Sequence, residues 1–218
     1  MDERICYFFS FLIEGLVFWN YVSILFVPKY STKIRFVCLS SGFFILFLSS
    51  LHNVFLLNCI LYTTVCFLYL IFLYKTSWYY ALFHSLLFEV LTGACELPVY
   101  SFLSTFLTSA SLRAADFHLK LLFAVMSKTL FFAVMSVLLL WLKKRQKPFL
   151  QYDKSVFFTI LIPFIAQIIV LILIAVCDST AMTATQNRLI TTSAFFLLIV
   201  NLLIFGLNQY NQKKHLEF

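Results

Sequence analysis

Long apolar runs separated by short polar breaks dominate the chain. Seven runs approach or exceed the ~20 apolar residues that a membrane-crossing helix needs: 4–27, 34–51, 54–74, 77–107, 117–142, 155–177 and 188–210. None shows the sustained two-residue alternation of an outer-membrane barrel strand. The first is continuous through Phe8, Leu12, Val17, Leu25 and Val27 and stops at Pro28. The second is short, and Ser49, Ser50, His52 and Asn53 mark a tight turn into the third. The fourth is long, carries Glu89, Glu96 and Pro98, and is expected to kink or tilt. The pattern predicts an all-α, polytopic membrane helical bundle of seven transmembrane helices.

Composition agrees. Hydrophobic residues make up 62% of the 218 positions and charged ones 11%, whereas an ordinary soluble domain is about a quarter charged. So little charge excludes a soluble fold, and disordered chains are charge-rich and polar. Four Gly and four Pro exclude collagen-like and loop-rich folds. The low Gly count also speaks against transporters and channels built on close Gly-mediated helix contacts.

Basic residues in short loops set the orientation of such a bundle. With seven spans, eleven Lys and Arg fall on one side: Lys29, Lys33, Arg35, Lys75, Lys143, Lys144, Arg145, Lys147, Lys154, Lys213 and Lys214. The other side holds four: Arg4, Arg113, Lys120 and Arg188. The bias predicts an N-terminus outside and a cytoplasmic C-terminus. The start, Met1-Asp2-Glu3-Arg4, lacks the basic segment of a signal peptide, so the first span is expected to be retained. Cytoplasmic loops meeting anionic lipid account for most of the net charge of +7. The lipid bilayer is thus the expected partner, and nucleic acid is not. Tyr21, Tyr30, Tyr74, Trp78, Tyr79, Tyr80, Trp141, Tyr152 and Tyr210 gather at the inner interface as an aromatic belt. The longer outer loops, 108–116 and 178–187, are small and polar.

Six cysteines, at 6, 38, 59, 66, 95 and 177, include no Cys-x-x-Cys. Cys59 and Cys66 share a helix face but lie ~10 Å apart in height, too far for a disulfide. Small apolar packing is the ordinary role of such residues, and a bridge among Cys6, Cys59, Cys95 and Cys177 on the outer side is the alternative.

Charges inside apolar runs carry the strongest functional signal, because each costs at least about 2.5–3.5 kcal/mol to insert. Glu14, Glu89 and Lys128 each fall about 15–18 Å from the start of their run, near mid-membrane. Lys128 paired with Glu14 or Glu89 would remove much of the cost of both charges. Glu96 lies two turns from Glu89 on the same face, with Lys120 and Tyr100 as expected neighbours, and His84 occupies the inner half of the same span. Two readings follow: a polar site that binds a ligand or carries protons, or a fixed ion pair that sets helix register.

Catalytic signals are weak. His84 and Cys95 share a face but stand ~16 Å apart, and His52 and Cys59 ~10 Å, beyond proton-transfer reach. No His-Glu-x-x-His, Gly-x-Ser-x-Gly, P-loop or Gly-x-Gly-x-x-Gly is present. The expectation is no enzymatic activity, no catalytic residue, no cofactor and no metal ligand.

The last run continues without a Pro into Asn201-Leu-Leu-Ile-Phe-Gly-Leu-Asn-Gln-Tyr-Asn-Gln-Lys-Lys-His-Leu-Glu-Phe. Together with Glu14, the basic turn from Lys29 to Arg35, Ser127-Lys128 followed by Lys143-Lys144-Arg145, and Pro163, this resembles the N-terminal sensor region of GHKL-type sensor histidine kinases. That group includes the accessory-gene-regulator quorum-sensing kinases. The resemblance covers essentially the whole chain. It implies a bundle that senses a ligand, often a peptide, signals through its last helix, dimerises and resides in a bacterial plasma membrane. His215 is followed by Leu216-Glu217, not by the family's His-Asp pattern, and no ATP-binding boxes follow.

The sequence thus leads to residues 1–210 as a seven-helix sensor domain and 211–218 as the cytoplasmic start of a signalling helix. The expected ligand is an extracellular small amphiphile or peptide, met by a polar core of Glu14, Glu89, Glu96, Lys128, His84 and Tyr100. The alternative is a small secondary transporter or a substrate-binding transport subunit, which discontinuous spans would favour.

Overall fold

A computed structural model describes residues 2–52, 55–106 and 117–144, with Ile165 and Thr192. The chain divides into two compact units, Met1–Gln146 and Lys147–Phe218, and the helices below belong to the first.

Five helices follow one another among the described residues: α1 (Asp2–Leu25), α2 (Thr32–Ser50), α3 (Phe55–Leu73), α4 (Trp78–Phe106) and α5 (Phe117–Lys144). Their sequences are apolar on every face, as expected of helices that exchange water for lipid or protein on all sides. Breaks fall where the chain supplies breakers. Pro28 follows α1, and Ser31 precedes α2 as its N-cap residue without a side-chain cap bond. α4 continues through Pro98, which forgoes one bond to the preceding turn.

The helices close into a ring. Each packs on the next in sequence, and α5 packs back on α1. Contacts give the directions. Phe8 meets Phe47 while Trp19 meets Phe36, so α1 and α2 are antiparallel. Phe43 meets Tyr62 while the Tyr69 hydroxyl donates to the Arg35 carbonyl, so α2 and α3 are antiparallel. Phe88 meets Phe131 and Glu96 meets Lys128, so α4 and α5 are antiparallel too. Tyr21 meets His84 while Phe18 meets Phe88, so α4 is antiparallel to α1 as well, and α5 therefore runs parallel to α1.

Rings fill the centre. Phe88 of α4 packs edge-on to Phe18 at 4.9 Å and to Phe131 at 5.2 Å, and stacks on Tyr62 at 6.2 Å. Phe18, Phe88 and Phe131 are fully buried. Large apolar side chains such as Leu16, Val37, Phe44, Phe72, Phe132 and Leu140 stay exposed on the outer faces. So much exposed apolar surface suits lipid and not water.

One end of the bundle is clasped. The loops after α1 and α3 pair as a short antiparallel bridge between Pro28 and Tyr74. Its bonds run from Lys29 N to the Leu73 carbonyl and from Lys75 N to the Val27 carbonyl, each 2.9 Å. Lys29 Nζ adds a bond to the Ile71 carbonyl at 2.8 Å. Lys29 and Lys75, grouped on one side by the sequence, do share one end of the bundle.

The expectation of seven transmembrane helices requires correction. Among the described residues three helices are long and apolar enough to cross a membrane: Arg4–Leu25, Thr32–Ser50 and Phe117–Leu140. The apolar part of α3, Leu57–Leu73, is shorter. α4 differs from these three in its burial: Ala81, Leu87, Phe88, Val90, Leu91 and Ala94 are withdrawn into the bundle together with His84, Ser85 and Thr92. The predicted runs 155–177 and 188–210, the loops 108–116 and 178–187, and the segment 211–218 lie outside the described residues. An N-terminus outside and a C-terminus inside rested on sorting the basic loops by seven spans, and they are withdrawn with that assignment. The three apolar helices and the exposed apolar faces are those of a membrane-associated helical bundle.

The aromatic belt also needs revision. Trp78 and Tyr30 are exposed, as a belt requires, but Tyr21 and Tyr74 are fully buried. Each has an interior partner for its hydroxyl, which lets a tyrosine serve as a core residue.

Candidate functional site

Glu14 lies half-way along α1 and Lys128 a similar distance along α5. Because these helices are parallel neighbours, the two residues arrive at one level and form an ion pair. Glu14 is 4% exposed and Lys128 5%, so the pair is withdrawn from solvent. Lys128 Nζ also reaches Glu96 Oε1 of α4 at 2.6 Å. One cation therefore ties three helices. Two carboxylates on one ammonium satisfy its donors well, and the Glu96 side chain, 41% exposed, carries the excess negative charge to the edge of the cluster.

Glu89 stands apart from this cluster. Its carboxylate accepts a hydrogen bond from the Thr63 hydroxyl of α3 and lies beside the Cys59 thiol. Neither neighbour carries a positive charge, and among the described residues no Lys or Arg forms an ion pair with it.

Glu14 and Glu89 face a common cleft of about 150 Å³, whose other walls include Phe11 of α1, Leu46 of α2, Asn58 and Tyr62 of α3 and Thr92 of α4. Asn58 is positioned by Ser49 across the α2–α3 turn, at 2.8 Å. The Thr92 hydroxyl donates to the Phe88 carbonyl at 2.9 Å. The Tyr62 hydroxyl lies toward Glu14 and Thr92 but is in hydrogen-bond geometry with neither and has no other partner. A buried hydroxyl without a partner costs about 1–3 kcal/mol, so this one marks a place where a partner belongs. A larger groove of about 390 Å³ between α1 and α2 is lined by Phe8, Leu12, Phe43, Phe44 and Phe47, with Ser40 as its polar side chain. It offers apolar contact without chemistry.

Two further buried polar groups lie elsewhere. His84 Nδ1 meets the Tyr21 hydroxyl at 2.5 Å, among the rings of Phe26 and Phe83. Arg35 donates to the Tyr74 hydroxyl at 2.9 Å and to Thr32 Oγ1 at 3.2 Å. Its guanidinium lies 5.0 Å from the centre of the Trp19 ring and 5.4 Å from that of Tyr74.

The structure therefore brings Glu14, Glu96 and Lys128 together and sets Glu89 on the cleft next to Glu14. It places His84 in a separate patch with Tyr21. Glu96 pairs with Lys128, a partner the sequence did not assign to it; the Tyr100 side chain lies outside the described residues. Sequence reading missed Asn58, Tyr62, Thr63 and Thr92. Their signal was present as a helical stripe on α3, where Asn58, Cys59, Tyr62, Thr63 and Cys66 recur at three- and four-residue spacing. Thr92 lies midway between Glu89 and Glu96 on the same face of α4. Among the described residues no three His, Cys, Asp or Glu side chains converge as metal ligands. Comparison with family models, with curated proteins and with solved structures gives no match, so the reading of this site stands on its geometry.

Proposed function

We propose that this chain is a multi-pass sensor of a bacterial plasma membrane. In this reading it binds an extracellular small amphiphilic or peptide ligand beside its buried ion cluster and passes the change on through its C-terminal segment. The observation that carries the reading is the cleft itself: two carboxylates face it, and Glu89 has no cation beside it among the described residues. Ionisable residues in membrane helices mark functional sites by default. The ion cluster supplies a route for coupling. Lys128 holds Glu14 of α1 and Glu96 of α4 at once, so a ligand that competes for Glu14 acts on three helices together. The resemblance to the sensor regions of GHKL-type histidine kinases supports the same role, with signalling in a homodimer and the catalytic step left to another domain.

The test is a chimaera of the chain with a GHKL-type kinase region in proteoliposomes. Autophosphorylation should change saturably with the peptide fraction of spent medium from the source organism, and Lys128→Met should abolish the response. Accumulation of that fraction inside proteoliposomes carrying the chain alone, with no kinase response, would establish transport instead.

A further inference from the structure

We infer that the cleft between α1, α3 and α4 is a subsite for a primary ammonium group, the cationic head of a small amine ligand. This deepens the receptor reading and rests on it for what the bound amine does. Acceptors converge on the cleft. The Glu14 carboxylate gives part of its charge to Lys128, but Glu89 shares its own only with a hydroxyl and a thiol. Thr92 spends its proton on the Phe88 carbonyl, which leaves its oxygen free to accept. The Tyr62 hydroxyl, on a residue 8% exposed, has no partner and lies toward Glu14 and Thr92.

An ammonium head fits this set. It has three donors and no acceptor, it supplies the positive charge that Glu89 lacks, and it gives the Tyr62 oxygen a donor. Phe11 and Leu46 supply apolar wall for a short alkyl tail. A volume of about 150 Å³ is about tenfold the ~10–15 Å³ that holds one water, room for a head with a few carbons. A divalent metal fits worse, since the described residues offer no converging set of three ligating groups.

The experiment uses the full chain in nanodiscs of zwitterionic lipid and follows its thermal unfolding midpoint against butylammonium chloride. Butan-1-ol, sodium butyrate and potassium chloride at equal concentrations test shape, opposite charge and bare cation. A saturable rise is expected with butylammonium alone. Glu89→Gln should weaken half-saturation by at least about tenfold, as for a lost charge-assisted bond, and Tyr62→Phe by about threefold. An equal rise with butan-1-ol or potassium chloride overturns the assignment, as does a half-saturation unmoved by Glu89→Gln. Where Glu89→Gln does not fold, Tyr62→Phe and the three control solutes decide. The receptor reading is decided separately by the kinase chimaera. A chain that responds there but gains nothing from butylammonium is a receptor for another class of ligand.

Discussion

Glu14 and Lys128 meet at the middle of two parallel helices that no single loop connects, and their ion pair is the polar seam that closes the ring. Removing one partner of a buried pair strands the other. Lys128→Met should therefore cost about 3–5 kcal/mol of stability. The double variant Glu14→Gln/Lys128→Met should cost clearly less than the two single changes added together. Unfolding midpoints of the four proteins in mixed micelles give the coupling; strict additivity would show that the pair does not act as one.

The hydroxyl of Tyr21 sits 2.5 Å from His84 Nδ1 in a site with no exposure to solvent to speak of. Tyr21→Phe keeps the ring and deletes only that contact. A loss of about 1–3 kcal/mol is expected, read by the same unfolding assay, while butylammonium protection should be unchanged because the pair lies off the cleft.

Arg35 is held by a fork of donors and by two ring faces. Lysine keeps the charge but has neither the planar fork nor the stacking surface. Arg35→Lys should cost about 1–2 kcal/mol, with little dependence on salt because the residue is buried. A loss that disappears in high salt would identify a simple surface charge.

Gly42 of α2 faces α3 so closely that an added Cβ would stand 2.8 Å from Val65 Cγ1. A Cβ at Gly15 would meet the Phe43 ring at 3.3 Å, a milder approach. Valine is stiff about its first torsion and cannot swing aside. Gly42→Ala should cost about 1–3 kcal/mol through overpacking, Gly15→Ala less, and Val65→Ala introduced beside Gly42→Ala should recover much of the loss. No recovery would place the strain elsewhere.

Much of this bundle was legible in the chain because lipid imposes a simple rule. Apolar runs must be helical, and they gave α1, α2, α3, α4 and α5 to within a few residues. That Lys128 would meet Glu14 or Glu89 was legible from their equal depth, but spacing alone could not choose between the two, and the structure gives Glu14. The count of membrane-crossing helices was not, because an apolar run reads the same whether lipid or protein surrounds it. α4 shows the difference: its polar residues are tolerated by burial among the other helices. Tyr21 and Tyr74 were misplaced for a related reason. A tyrosine near a helix end looks like an interfacial anchor until a partner such as His84 or Arg35 is known to reach its hydroxyl. The cleft was hidden because it depends on α3, whose stripe of small polar groups carries no charge and so draws no attention beside the glutamates.

A ring closed by parallel first and last members has a consequence for how it is made. Lys128 follows Glu14 by 114 residues (128 − 14), which at synthesis rates of about 5–20 residues per second is roughly 6–23 s. The first helix is thus produced with an acid whose cation does not yet exist, and α2, α3 and α4 can each settle on their predecessor before the seam is available. Among the described helices α5 is thus the one that completes the cluster, so truncations that stop short of α5 should leave Glu14 without its cation and be less stable than the bundle that includes it.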